Sequence, residues 1–390
     1  MLDPNEIIYL DNNATTQVDP VVLEEMLPFL SKYYGNPSSG YRFGAQVREA
    51  LELARERVAG LLGCSAGEIV FTSGGTESIH TALNSALQLD PTRQHIVTTA
   101  VEHSATLRQV EHLAQRGFAV TIVGVDGDGQ LNLDDLENAI RPETVIISAM
   151  WANNETGVLF PVGDVAEIAR RKRVLFHTDA VQAAGKIPID LDSLGASFCS
   201  ISGHKFHAPK GVGALYVNRR SAFRPSQFGG GQENGRRAGT ENVAAIVGLG
   251  KAAERVAQTL GEQHARVSAL RDRFEATLLA QVADTFVNGG GAPRLPNTSS
   301  ISFAGVESDA VLLMLDQQRV CCSAGSACRT GSREVSHVLR AMNLSEERLR
   351  GSVRFSLGRF NTEADVDRAL EIIPRVIGKL RAMSAPLASV

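Results

Sequence analysis

Short apolar runs rich in β-branched residues recur through the first two-thirds of the chain: EIVFT, QHIVTTA, FAVTIVGV, TVIISAM, VLFHTDA, FCSIS and VGALYVN. Runs of this length bounded by polar residues predict buried strands. The segments between them follow a different period. Residues 44–61 (GAQVREALELARERVAGL) and 162–172 carry apolar residues at helical spacing with charges between, the pattern of helices that cover a sheet. Strands alternating with such helices predict an α/β fold with a mostly parallel sheet. A longer helical pattern over 241–282 contains the expected domain connection. Beyond it TSSISFAG, SVRFSLG and a helical stretch from Glu363 predict a smaller α/β unit, with NGGGAPRLPN as a loop.

The residues just after the strands carry the candidate chemistry. EIVFT runs into SGGTE, HIVTTA into VEHSAT, IISAM into WANNETG, VLFHT into DAVQ and FCSIS into GHKF. In a parallel sheet these strand ends share one edge, where α/β proteins place their ligands. Gly75 and Thr76, in SGGTE before a helical pattern, offer backbone amides and a helix dipole to a phosphate, although a short glycine pair there is more often a plain helix cap. The spacing is not that of a Walker loop. Asp179 ends an apolar run that buries it, a costly place for a carboxylate unless a protonated heterocyclic nitrogen or another cation meets it; a helix cap or an arginine partner is the plainer alternative. Lys205 lies between two histidines in SISGHKFHAPKG, a setting that can lower a lysine's pKa and allow a Schiff base with an aldehyde cofactor, whereas most lysines are solvated. His103 offers a ring that stacks on a planar cofactor and carries protons near neutral pH, against the commoner fate of a structural histidine.

Composition narrows the class. At 390 residues the chain exceeds the size at which one core stops growing, so two packed units are expected. A 43% hydrophobic fraction with 36 glycines fits a soluble α/β enzyme, and a net charge of −4 gives no basic footprint for nucleic acid or an acidic membrane. The opening MLDPNEIIYLDNNATT has no basic region followed by an apolar run, and no later run approaches the ~20 apolar residues of a membrane span, so a cytoplasmic protein is expected. The five cysteines contain no C-x-x-C pair and no zinc-type spacing, which suits free thiols in a reducing compartment. Cys328, in SAGSACRTGS, is flanked by small residues that predict an exposed loop, the setting of a reactive thiol. Cys64 and Cys199 read as inert, and Cys321 and Cys322 adjoin the apolar LLMLDQQRV segment as packing thiols.

Read together, these residues resemble the class I cysteine desulfurases of the nitrogen-fixation (NifS-like) type, a branch of the class V aminotransferases. The motifs that carry the resemblance are YLDNNATT, YGNPSS, SGGTES, VEHSAT, WANNETGVLFPV, HTDAVQ, SGHKFHAPKGVGALYV, GGGQENGRRAGTEN, SAGSAC and VRFSLGR, in this order along nearly the whole chain. The resemblance implies pyridoxal 5'-phosphate held covalently by Lys205, with the His103 ring against it, Asp179 on the pyridinium nitrogen and Gln182 on the phenolic oxygen. It implies a phosphate held by Gly75, Thr76, Ser202 and His204, with Thr240 reaching in from the partner subunit of a homodimer. Asn154 and Arg354 would face the substrate carboxylate, which an arginine fork can bind bidentately.

Cys328 would take the sulfur of L-cysteine as a persulfide while alanine leaves, with His103 as one group able to deprotonate it. The resemblance further implies fold-type I architecture: a large domain over 16–255 around a seven-stranded sheet, and a small domain from 1–15 and 256–390 that carries the cysteine loop. The sulfur would pass to an iron–sulfur scaffold protein, in nitrogenase maturation. No resident metal is implied, although Cys328 would contact a cluster through its persulfide during transfer. Ala324 stands where the family usually has serine, and Arg329 after the nucleophile is unusual. Two other readings compete: a related aminotransferase or lyase without the sulfur step, which Cys328 discriminates, and a non-catalytic iron–sulfur or metal scaffold on Cys321, Cys322 and Cys328, which lacks partner ligands at metal spacing.

Overall fold

A computed structural model describes residues 3, 6–324 and 335–384. Its strands, in chain order, are β1 (Ile8–Tyr9), β2 (Ile69–Thr72), β3 (His95–Thr99), β4 (Ala119–Val123), β5 (Thr144–Ser148), β6 (Leu175–Asp179), β7 (Phe198–Ser202), β8 (Gly213–Val217), β9 (Thr285–Val287), β10 (Thr298–Phe303), β11 (Val320–Cys321) and β12 (Ser352–Ser356). The described helices of ten or more residues are α1 (Arg42–Leu62), α2 (Gly75–Leu89), α3 (Ser104–Gln115), α4 (Val162–Lys172), α5 (Val243–Gln281), α6 (Ser308–Gln317) and α7 (Glu363–Ser384). None of the described helices is long and apolar enough to cross a membrane.

Strands β2 to β8 form a seven-stranded sheet in the order β2-β8-β7-β6-β5-β3-β4. The pairings from β7 to β4 are parallel, and β8 runs antiparallel to both its neighbours, so the sheet is mostly parallel as the alternating pattern predicts. Side chains alternate between its faces. Val70, Ile96, Ile146, Phe198 and Leu215 pack with the apolar stripes of α2 and α3. Ile69, Phe71, Cys199, Ile201 and Tyr216 pack with α1 and the first half of α5. Covering both faces lets the strands be continuously apolar, which is why they are legible as uninterrupted runs. His177 braces the middle of the sheet, with Ser148 Oγ at 2.8 Å and Ser200 Oγ at 2.9 Å, and so ties β5, β6 and β7 together just below the ends that matter.

A second core gathers residues remote in sequence. Ile8 and Leu10 pack with Val267, Phe274 and Leu278 from the second half of α5, with β10 and β12, and with α6 and α7. The antiparallel sheet here has the order β12-β10-β9, while β1 pairs in parallel with β11. Asp11 continues from β1 to bridge Ser356 at the end of β12. The N-terminal segment thus runs from the second core onto the edge of the large sheet, where Thr16 N–H and Oγ1 both donate to His204 O, at 2.9 and 3.0 Å.

One close approach fixes the loop after β2. A Cβ on Gly213, at the start of β8, would stand 2.5 Å from Ile201 O and 2.7 Å from Gly74 Cα. Gly213→Ala is therefore expected to destabilise the fold by roughly 1–3 kcal/mol, as overpacking does. Gly60, in α1, is the control, because a Cβ there would meet nothing within 4 Å. Gly60→Ala is expected to stabilise by ~0.5–1 kcal/mol. Denaturant melts of both variants check the pair, and a neutral Gly213→Ala contradicts the packing.

Candidate active site

The ends of β2, β3, β5, β6 and β7 open onto a cavity of about 700 Å³. Gly74, at the N-cap of α2, makes no side-chain cap. The N–H groups of Gly75 and Thr76 precede the first bond of the helix, Ser78 N–H to Gly74 O at 3.2 Å, and so are left for an anion together with the positive end of the dipole. Ser202 and His204 line the same cavity as Gly75 and Thr76. His204 has Thr15 Oγ1 3.1 Å from Nδ1, and burial, reinforced by Lys205 and Lys210, takes its pKa down to about 4.

Lys205 closes the tight turn Gly203–Lys205 that follows β7. Its Nζ donates to Asn13 O at 2.5 Å and to Ala14 O at 2.8 Å. Asp179, the last residue of β6, is buried and accepts Val181 N–H at 2.9 Å. Burial raises its pKa to about 6, against the opposing effects of that bond and of Lys205. No arginine forms an ion pair with it among the described residues, which removes one of the plain alternatives. A carboxylate in this position suits a cationic nitrogen entering the cavity.

His103 caps α3 through Nδ1, which accepts Ala105 N–H at 3.1 Å. Burial, then Lys205 and His337, take its pKa down to about 4, so the ring is neutral near pH 7 and carries its proton on Nε2. In this state it is a donor and a stacking face rather than a base. Gln182 lines the cavity with one Nε2 hydrogen donated to Asn13 O at 3.0 Å and its Oε1 taken by Lys186 at 2.6 Å. Arg354, on β12, is buried; Nη1 donates to Asn154 O at 2.8 Å, Nη2 pairs with Asp11 at 2.7 Å, and Nε has no acceptor. Asn154 also faces the cavity.

The structure brings together Gly75, Thr76, His103, Asn154, Asp179, Gln182, Ser202, His204, Lys205 and Arg354 around one cavity. Thr240 is exposed and does not line it. Cys328 lies outside the described residues. Its four companions are all held as thiols by burial: Cys64 is pushed up to about 12, and Cys199, Cys321 and Cys322 are likewise raised.

Three further groups at the site were not singled out by sequence. Asn13 belongs to the YLDNNATT motif, but its contacts with Lys205, Gln182, Asn154 and Thr298 join segments far apart in the chain. His337 lines the cavity with Nε2 3.0 Å from Glu102 O. Glu102, fully buried beside His103, accepts Met150 N–H and Thr99 Oγ1 through Oε1, and its Oε2 has no partner. Burial pushes its pKa up to about 8.

Residues 8–369 match the family described as aminotransferase class-V. A cysteine desulfurase of Trichormus azollae is 51% identical over 378 residues, which cover 97% of this chain and 94% of that protein. The cysteine desulfurase NifS of Azotobacter vinelandii is 49% identical over the same shares of the two chains. Among solved structures, a NifS-like protein superimposes with a TM-score of 0.89 at 38% identity, covering 96% of this chain and 100% of that one.

Glu102 generates a pH test. Its folded pKa of about 8 lies above the unfolded value near ~4.3, so the stability it contributes is full below ~4 and is lost as pH rises toward 8. Glu102→Gln has no such penalty. Its melting temperature relative to the parent chain is expected to rise between pH 5 and pH 8.5, as thermal melts at the two values would measure. A difference that is flat with pH contradicts a buried, proton-holding Glu102.

Proposed function

The chain belongs to the aminotransferase class-V family, and from that premise we propose that it is a cysteine desulfurase, taking the sulfur of L-cysteine as a persulfide on Cys328 and releasing L-alanine. The observation that carries this reading is the convergence of Lys205, buried Asp179, the neutral ring of His103, the uncapped α2 terminus and Arg354 around one cavity. The donor set fits pyridoxal phosphate. Gly75, Thr76, Ser202 and His204 would hold the phosphate, Asp179 the ring nitrogen, Gln182 the phenolic oxygen, His103 the ring face and Lys205 the aldehyde carbon. When bound, the cofactor supplies a sink for the electrons left at the substrate Cα.

The chain's own residues do the rest. Asp179, as a carboxylate, would keep a proton on the ring nitrogen. Lys205, the residue that would hold the aldehyde carbon, would also move the proton at the substrate Cα. Arg354 and Asn154 orient the substrate carboxylate, which would join the charge already placed by Asp11. Cys328, as thiolate, attacks the substrate sulfur; the new S–S bond forms as the Cβ–S bond breaks. His337 is a second imidazole lining the cavity that would be placed to take the thiol proton, whereas His103 presents N–H.

Chain connectivity supports the assignment of the thiol. Ser323 exchanges two backbone bonds with Arg354, at 2.6 and 3.1 Å, and Val335 lines the cavity. Cys328 stands five residues after Ser323, at most ~18 Å of extended chain. The four described cysteines are protonated at neutral pH and poor nucleophiles. In this reading Thr240 completes the phosphate site of a partner subunit in a homodimer, which accounts for its distance from its own cavity. The large domain spans 16–255 and the small one 1–15 and 256–390, the protein is cytoplasmic, and the persulfide passes to an iron–sulfur scaffold protein, with nitrogenase maturation as the favoured destination.

Two variants test the reading. Lys205→Ala is expected to lose covalent cofactor and all sulfide release. Cys328→Ala is expected to keep the visible absorption of bound cofactor and to bind L-cysteine while releasing no sulfide. Normal sulfide release by Cys328→Ala would show that the sulfur leaves without this thiol and would contradict its assignment as acceptor, whereas a parent chain that turns over L-cysteine without releasing sulfur returns the protein to an aminotransferase or lyase without the sulfur step.

A further inference from the structure

Lys186, four residues after Gln182, has no part in the chemistry described so far. Its Nζ donates to Gln182 Oε1 at 2.6 Å and to Asn13 Oδ1 at 3.0 Å. Both acceptors are buried, at 5% and 1% exposure, and no carboxylate forms an ion pair with Lys186 among the described residues. Burial, with the like charges of Lys205 and Arg354, holds its pKa well below the usual lysine value. Even a half-buried amine without a counter-charge carries a desolvation cost, so its place calls for a local task.

The contacts define that task. A carboxamide turns its oxygen toward a donor and its NH2 away. With both oxygens facing Lys186, Asn13 Nδ2 is free to donate to Thr298 Oγ1 at 2.8 Å and Asn154 O at 3.1 Å. Gln182 Nε2 donates one hydrogen to Asn13 O at 3.0 Å and keeps the second for the cavity it lines. Without a donor at position 186, the single bond to Asn13 O is the one contact here that holds the Gln182 carboxamide against turning over and presenting an acceptor. Asn13 O is also an acceptor for Lys205 Nζ, so the same pinned residue serves the cofactor lysine.

We propose that Lys186 is a positioning residue that fixes Gln182 as a hydrogen-bond donor toward the cavity, so that the site selects an anionic ring oxygen at that edge of its cofactor. The inference rests on the pyridoxal phosphate reading of the cavity and acts through Gln182, without contact to the cofactor.

The test uses the full chain, freed of cofactor and titrated with pyridoxal phosphate while visible absorption and dissociation constant are followed. Lys186→Met is expected to shift the absorption of the bound cofactor in the same direction as Gln182→Ala and to weaken binding at least fivefold. The double variant is expected to lie within twofold of Gln182→Ala alone, because the effect runs through that side chain. Lys186→Arg keeps the donors, and a cavity of about 60 Å³ bordered by Lys186 has room for the larger head; its absorption and affinity are expected within twofold of the parent. This variant keeps the inference testable if Lys186→Met does not fold. Parent-like absorption and affinity in Lys186→Met, multiplying effects in the double variant, or a folded Lys186→Arg with the absorption of Gln182→Ala would each overturn the inference alone. A parent chain that binds no pyridoxal phosphate overturns the reading of the cavity and the inference with it.

Discussion

The amine of Lys205, half-buried in the turn after β7, is met by acceptors from the chain's own N-terminal segment, the carbonyls of Asn13 and Ala14. Those contacts tie the large sheet to the second core. The segment bearing these carbonyls leaves β1, bridges β12 through Asp11 and Ser356, and lies on the turn after β7. Asn13 then links Lys205 to Gln182, Asn154 and Thr298. Asn154 O in turn accepts from Arg354, so Lys205 and Arg354 share one short run of polar contacts.

Burial does the electrostatic work around this run. It raises Asp179 and Glu102, lowers His103, His204 and Lys186, and keeps Cys64, Cys199, Cys321 and Cys322 as thiols. Among the charged groups at the site, Arg354 and Asp11 are paired at 2.7 Å. An incoming carboxylate or phosphate therefore meets N–H donors and a guanidinium already held in place rather than reorganising water.

The sheet and the strand-end residues were legible because both depend on local sequence. A strand buried on two faces is an unbroken apolar run, and the polar residue that ends it points to the shared edge whatever the partners are. Asp179, Lys205 and His103 could be found that way. Asn13, Asp11, Lys186 and His337 could not, because their significance lies in contacts across the chain: Lys186 reaches Asn13 over 173 positions and Arg354 reaches Asp11 over 343. The YLDNNATT motif marked the right segment without telling which residue acts. Thr240 carries no local signal that separates a residue serving its own cavity from one serving a neighbour's, and its assignment came from resemblance. The tautomer of His103 was equally hidden, since it follows from the Ala105 N–H that the helix start places against Nδ1.

The central claim is that one thiol accepts the sulfur, and it is tested most directly by locating the sulfur itself. After L-cysteine is added to the purified protein with pyridoxal phosphate, fragment-ion sequencing of the peptides should place one additional sulfur on Cys328 and none on Cys64, Cys199, Cys321 or Cys322. Additional sulfur on Cys321 or Cys322, with Cys328 itself unchanged, would contradict the account.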